Sequence, residues 1–167
     1  MMIRLATERD LPGFLGLAAQ VEQWFGPMVK EPGFPRAVEQ HVHRSAALVA
    51  VPSSGGPALL GGLLFGADAS GSPEAPCHHV HWLVVAAEAR GRGVGRALMA
   101  DAVRRFVTVP ASIEVVTFGS DHPGAEASGA RRFYASLGFV PAEPAPPGPE
   151  GGSRQVYRRA WEHRAAG

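Results

Sequence analysis

The order of apolar patterns in this chain predicts a mixed α/β fold, one sheet with helices on both faces. Three observations carry the prediction. Short apolar runs with strand character recur from Met2 to Trp161. Between several of them lie stretches whose apolar residues repeat every three or four positions. The 167 residues suit one domain, 1–167, with a sizeable core. The predicted order is β-α-α-β-β-β-α-β-α-β-β, about seven strands.

Each element has its own warrant. MIRLA (Met2–Ala6) is short and partly alternating, a strand. Thr7, with Asp10 three residues later, can cap a helix whose row is Leu11, Leu15, Ala18 and Glu22, and which runs to about Trp24 before Gly26 and Pro27 stop it. A shorter helix follows Pro35 through Val38, Val42 and His43. AALVAV, the turn-rich PSSGGP and ALLGGLLFGA read as a β-hairpin. DASGSPEAP reads as a loop into the strand CHHVHWLVV (Cys77–Val85). Val94, Leu98, Ala102 and Phe106 recur every four residues and mark the next helix, with Arg96, Asp101 and Arg104 on its opposite side. IEVVTFG (Ile113–Gly119) is a strand, and Ala130, Phe133, Tyr134 and Leu137 mark a helix ended by Gly138. Phe139 and Val140 open a strand, PAEPAPPGPEGG is one long loop, and RQVYRRAW (Arg154–Trp161) is the last strand.

Composition narrows the function. The net charge is +1 and Lys30 is the only lysine, so the chain lacks the global basic field of a nucleic-acid binder. No stretch is apolar for long enough to span a bilayer, and the N-terminus lacks a signal-peptide core. Cys77 is the only cysteine, which excludes an internal disulfide and argues against a cysteine-based zinc site. A soluble cytoplasmic protein without a metal, acting as a monomer or homodimer, is the expectation.

EARGRGVGRALM (residues 88–99) is the informative stretch. A strand, then Gly91, Gly93 and Gly95 at alternate positions, then a helix, is a recipe for binding an anion. The first N–H groups of a helix lack intrahelical partners, and the macrodipole places partial positive charge there. Glycines allow phosphate oxygens close to the backbone, and Arg90, Arg92 and Arg96 add charge. The alternative is a tight turn whose glycines only relieve crowding. No lysine or hydroxyl follows Gly95, so this is not a P-loop, and the spacing is one residue short of the dinucleotide fingerprint.

Arg90, Gly93 and Gly95 do fill the pattern Q/R-x-x-G-x-G/A. With ARRFYASLGF (residues 130–139) as a second block, the chain resembles the GNAT acyltransferase superfamily along nearly its whole length. The resemblance implies a GNAT fold, with a mostly antiparallel sheet of about six or seven strands and helices on both faces. It implies acetyl-CoA as co-substrate, its pantetheine arm paired with Leu83, Val84 and Val85. The pyrophosphate would lie on the backbone from about Gly91 through Arg92, Gly93, Val94 and Gly95 to Arg96. Tyr134 would be the general acid that protonates the departing thiolate. One departure is visible: an asparagine often stands seven residues before that tyrosine, and here the position is Ala127, with Ser128 or Ser120 as substitutes.

Acyl transfer to an amine needs the neutral amine, hence a base that titrates near pH 7. Strand alternation puts His79 and His81 on one face, with His78 and Trp82 on the other. That His-x-His placement resembles the paired histidines of arylalkylamine N-acetyltransferases. Satisfied structural histidines are the competing explanation, and His41 and His43 read as surface positions. Glu22, Trp24 and Phe25, at the end of the first helix, are candidate acceptor-pocket residues, and His122 could contact substrate or cap its loop. The expected function is transfer of an acetyl group from acetyl-CoA to a primary amine, a small or aromatic one because no acidic cluster favours a polycation. The rivals are a non-catalytic CoA-binding sensor or partner subunit, or an acetyltransferase for protein N-termini, lysines or an antibiotic.

Overall fold

The computed structural model describes residues 1–56, 58–122, 124–148 and 151–162. Seven strands lie in the order β1-β2-β3-β4-β5-β7-β6. They are β1 (Met2–Leu5), β2 (Ala47–Val51), β3 (Gly61–Ser72), β4 (Ala75–Val85), β5 (Ala111–Phe118), β6 (Val140–Ala145) and β7 (Arg154–Trp161). The helices are α1 (Leu11–Ala19), α2 (Glu22–Phe25), α3 (Gly33–His43), α4 (Val94–Phe106), α5 (Gly124–Ser128) and α6 (Ala130–Ser136). The mostly antiparallel mixed sheet predicted from the sequence is the sheet observed. The residues group into two compact units, Met1–Gly66 with His81–Phe106, and Ala67–Val80 with the described residues from Val107 onward.

In the first unit, β2 pairs antiparallel with β1 (Met2↔Val51) and with β3 (Ala47↔Leu64), the predicted hairpin. Every residue of β2 is buried, which requires cover on both faces. Two glycines show how the cover is made. A Cβ on Gly62 would lie 2.7 Å from the Phe14 ring, while one on Gly61 would meet Val94, Leu98 and the Val84 carbonyl oxygen at 3.0–3.1 Å. Adjacent strand residues point to opposite faces, so α1 packs on one side of β3 and α4 on the other, the α1 side closer than a side chain would permit and the α4 side nearly so. Phe14, Leu48, Leu63, Leu64 and Leu98 form the centre of this core.

Entry into α1 is fixed by charge. The Asp10 carboxylate takes two hydrogen bonds from the Arg4 guanidinium, at 2.8 and 3.0 Å, and one from the Thr7 backbone N–H at 2.8 Å. This is the cap anticipated from Thr7 and Asp10. The single first helix is corrected to a short 3₁₀ turn and two pieces, α1 and α2. The break comes at Val21, whose φ of −121° is not helical. Next to it the Gln20 side chain accepts the Ala87 N–H at 2.8 Å, tying the helix end to the segment ahead of the glycine loop.

In the second unit, β4 pairs parallel with β5 (Cys77↔Ser112), and β5 pairs antiparallel with β7 (Ala111↔Trp161). Two expected loops are corrected to strand. DASGSPEAP is mostly β3 and β4, with the turn confined to Pro73 and Glu74. Its residues are exposed and lack apolar alternation, so the ladder is supported by backbone and serine hydrogen bonds that no hydrophobic period announces. The start of PAEPAPPGPEGG is β6, whose pairing shifts register between Pro141 and Pro144. Prolines are tolerated because β6 is the edge strand, where missing donors face no partner. The Gln155 side chain donates to the Ala142 carbonyl at 3.0 Å and secures that edge.

The Arg4–Asp10 contact gives a pH prediction. Burial pulls the Asp10 carboxyl up, but the Arg4 hydrogen bonds and the Thr7 N–H outweigh it, and the net shift is below the ordinary carboxylate range. A folded-state value below the unfolded one stabilises above the unfolded pKa and is lost as pH falls through the folded value. Arg4 is 38% exposed, so Asp10→Asn should cost about 1 kcal/mol at pH 7 rather than the full charge-assisted value. Urea midpoints of the two proteins should converge as pH drops below about 4; a gap that persists undiminished in acid would show that the ion pair is not its source.

Candidate active site

β4 delivers the chain to the glycine loop. Val84 is buried while Leu83 and Val85 are half-buried, and Ala86 donates its N–H to the Leu60 carbonyl at 2.8 Å. A 3₁₀ turn (Ala87–Ala89) follows, then the exposed run Arg90, Gly91, Arg92, Gly93. Gly91 and Gly93 have φ of +76° and +81°, a conformation that L side chains resist. A Cβ on either would meet no heavy atom within 4 Å, so relief of crowding does not explain them. The Gly93 carbonyl accepts the Ala97 N–H at 3.0 Å and so opens α4. Val94 and Gly95 are buried, whereas Arg96 is exposed. The result is an exposed turn at a helix N-terminus, flanked by three arginines, a geometry suited to an anion.

Arg90 is partly committed within the protein. Its Nε donates to the Val85 carbonyl at 3.4 Å, and its guanidinium lies 5.3 Å from the Trp24 ring centroid, a cation–π contact. Trp24 and Phe25, on α2, are half-buried. Glu22, on the same helix, has a different task. Its carboxylate accepts the Met28 and Val29 N–H groups at 2.7 and 3.3 Å, closing the chain after Gly26.

His79 and His81 do not share one environment. His81 is exposed, and its Nδ1 lies 2.7 Å from Nε2 of His41 on α3, with ring centroids 5.0 Å apart and edge-on at 78°. His41 Nδ1 in turn lies 2.6 Å from the Ala37 carbonyl oxygen. His41 is the functional candidate that sequence reasoning missed. No linear spacing connects it to β4, because the contact exists only once α3 has docked.

His79 belongs to the second unit. Strand register places it opposite Glu114, and Glu114 opposite Arg158, in one cross-strand row. His79 Nε2 is 3.5 Å from Glu114 Oε2, and Arg158 reaches Glu114 at 2.6 Å and Glu143 at 2.7 Å. Cys77, His79 and Glu114 bring potential ligand atoms within 4.8 Å of one another. Arg158 already neutralises the carboxylate, and burial pushes the Cys77 thiol up from its ordinary value, with only partial relief from Ser112. Both effects oppose a cation there.

Tyr134 is buried, its ring 5.0 Å from Phe133 and 5.5 Å from Phe139. The end of α6 fixes it. Gly138, at φ +87°, donates to the Ala135 carbonyl and Phe139 donates to the Tyr134 carbonyl, both at 3.0 Å, a Schellman stop with its accompanying apolar contact. Burial drives the phenol's pKa upward. His122 is buried against Phe118 at 4.4 Å, and its Nδ1 accepts the Gly124 N–H at 2.8 Å, which is the loop-capping alternative. Ser128 accepts the Ala130 N–H at 3.2 Å, so the serine beside Ala127 is occupied in starting α6.

A mixed-sheet α/β protein with an anion-competent turn between strand and helix is the class that the fold and loop define. The model of the acetyltransferase (GNAT) domain matches residues 56–141, and the chain belongs to that family. It is therefore an acyltransferase, and GNAT acetyltransferases use acetyl-CoA. Among solved structures, a GNAT-family acetyltransferase from Bacillus cereus is 14% identical with a TM-score of 0.71, covering 98% of each chain. The ribosomal-protein-alanine N-acetyltransferase from Brucella melitensis is 19% identical with a TM-score of 0.67, covering 96% of this chain and 100% of that one. The protein yncA from Salmonella typhimurium, solved with its cofactor acetyl-CoA, is 18% identical with a TM-score of 0.67, covering 99% and 96%. At these identities the likeness establishes the fold. No curated protein matches the sequence significantly. Among the described residues, no helix is long and apolar enough to cross a membrane.

The sheltered thiol can be checked directly. Folded protein at pH 8 should react with a thiol reagent about tenfold more slowly at Cys77 than urea-unfolded protein, because less thiolate is present and access is reduced. Equal rates would contradict the burial.

Proposed function

We propose that the chain, acting as one GNAT-type domain, moves the acetyl group of acetyl-CoA to the nitrogen of a small or aromatic primary amine. The observation that carries this is the exposed Gly91–Gly93 turn opening α4 in a chain of the GNAT family. When bound, acetyl-CoA supplies an activated acyl carbon and a thiolate leaving group. Backbone N–H groups from Gly91 to Arg96 would hold its pyrophosphate, with Arg92 and Arg96 adding charge, and Leu83 to Val85 would pair with its pantetheine arm. Trp24 and Phe25 favour an apolar acceptor. Glu22, engaged by two backbone N–H groups, is poorly available to a polycation or as a base.

His81 is the base in this reading, because its ring is exposed and anchored by a second imidazole. The acceptor ammonium must lose one proton before its lone pair can form the C–N bond, and His81 takes it. As the C–S bond breaks, the nitrogen gives its second proton to solvent water and the departing thiolate takes one from solvent, so the proton count balances. Tyr134 assists the sulfur by hydrogen bonding. An alkyl thiol titrates at about 8.5 and a free phenol at about 10. Burial raises the Tyr134 phenol further, so complete proton transfer to the thiolate runs uphill while a donated O–H···S bond does not. His79, held in the Glu114–Arg158 row, serves the sheet.

Two experiments test this. Acetyl-CoA at about 100 times its dissociation constant should stabilise the protein by about 2.7 kcal/mol. Gly93→Ala should lose about 1 kcal/mol without ligand, from its positive φ, and most of the ligand-induced gain. A full gain in that variant would remove the loop from cofactor binding. In steady-state kinetics, His81→Gln should lower kcat/KM at neutral pH by about 100-fold or more, recovering partly at high pH where the amine deprotonates itself. Tyr134→Phe should lower kcat by roughly tenfold, the worth of one hydrogen bond to a charged atom. Neither should alter the acetyl-CoA Kd. Wild-type turnover in His81→Gln would place the base elsewhere.

A further inference from the structure

We propose that His41 is a positioning residue that selects the tautomer of His81, leaving the lone pair on His81 Nε2. The inference rests on the reading of His81 as the base. It follows from an accounting of protons along three groups. The Ala37 carbonyl can only accept, so His41 Nδ1, 2.6 Å away, carries a hydrogen. In a neutral imidazole the other nitrogen is then bare, so His41 Nε2 is an acceptor. His81 Nδ1, 2.7 Å from it, must supply the hydrogen between them. His81 is thereby held in its Nδ1–H form with Nε2 basic, the less populated tautomer of an isolated imidazole.

The arrangement also limits charge. Two imidazoliums would put two N–H groups face to face across 2.7 Å, so the pair holds one extra proton at most. After His81 Nε2 takes the amine's proton, Nδ1–H still donates to His41, and the positive charge is stabilised without moving a heavy atom. The carbonyl four residues earlier on α3 locks the His41 ring, so the orienting group is itself oriented. The logic matches that of a catalytic triad, with a neutral imidazole in place of the carboxylate.

The test uses the whole protein labelled with ¹⁵N at histidine, at pH 8. Long-range ¹H–¹⁵N correlation spectra should show His81 and His41 each protonated at Nδ1 and bare at Nε2. In His41→Phe, His81 should turn mainly to the Nε2–H form, and kcat/KM should fall about fivefold to tenfold because the competent tautomer becomes a minority. The acetyl-CoA Kd should not change. His41→Gln, whose side-chain carbonyl can accept from His81 Nδ1, should restore the tautomer and most of the rate; a merely structural role for His41 predicts no such link between tautomer and rate. An Nε2–H His81 in the wild-type protein, or a tautomer unmoved by His41→Phe, overturns the proposal and leaves the base assignment standing. A switched tautomer with undiminished turnover overturns the base assignment, and with it any part for His41 in catalysis.

Discussion

The structure of the first unit depends on how closely two helices can approach one strand. Gly61 and Gly62 lack side chains on opposite faces of β3, and the space is filled by Val94 and Leu98 of α4 on one side and Phe14 of α1 on the other. Interiors pack at near-crystalline density, so an added carbon at Gly62 would force the Phe14 ring to shift and one at Gly61 would press on Val94, Leu98 and the Val84 carbonyl oxygen. The α4 contact matters most for chemistry. The helix held against Gly61 begins at the Gly91–Gly93 turn, so strand packing fixes where its first turn emerges. The α1 contact acts on the same segment, since Gln20 at its end holds the Ala87 N–H.

The parts of the site that the sequence discloses are those set by local rules. A glycine–arginine turn, an apolar row at every fourth position from Val94 to Phe106, and Tyr134 ahead of Gly138 are each visible as local patterns, and the structure places them on a loop, a helix and a helix end. Strand alternation correctly separates His79 and His81 from His78, which is buried. Alternation says nothing of partners. His81 meets an α3 histidine forty residues earlier, and His79 meets a carboxylate from β5, because helix docking and strand register choose those neighbours.

The fold was less legible wherever hydrogen bonding, rather than apolar burial, maintains a strand. The exposed ends of β3 and β4 carry serines and a glycine in place of alternating apolar residues. β6 carries Pro141 and Pro144, which in a central strand would be disqualifying and at an edge are harmless. The division of α1 from α2 has the same character: it falls at Val21, with no glycine or proline there to mark it, beside Gln20, whose side chain accepts a distant backbone N–H.

On the role proposed for Tyr134, the Schellman stop at Gly138 takes on a kinetic meaning. Tyr134 is both the residue whose carbonyl ends α6 and the residue whose phenol would face the leaving sulfur, and Phe139 braces its ring from beyond the turn. Helix ends open and close far more often than whole domains unfold. Each opening of that last turn would release the ring brace and the carbonyl contact together. The time-averaged occupancy of one closed turn, rather than the intrinsic strength of the phenol, would then set the fraction of molecules ready to turn over at any instant.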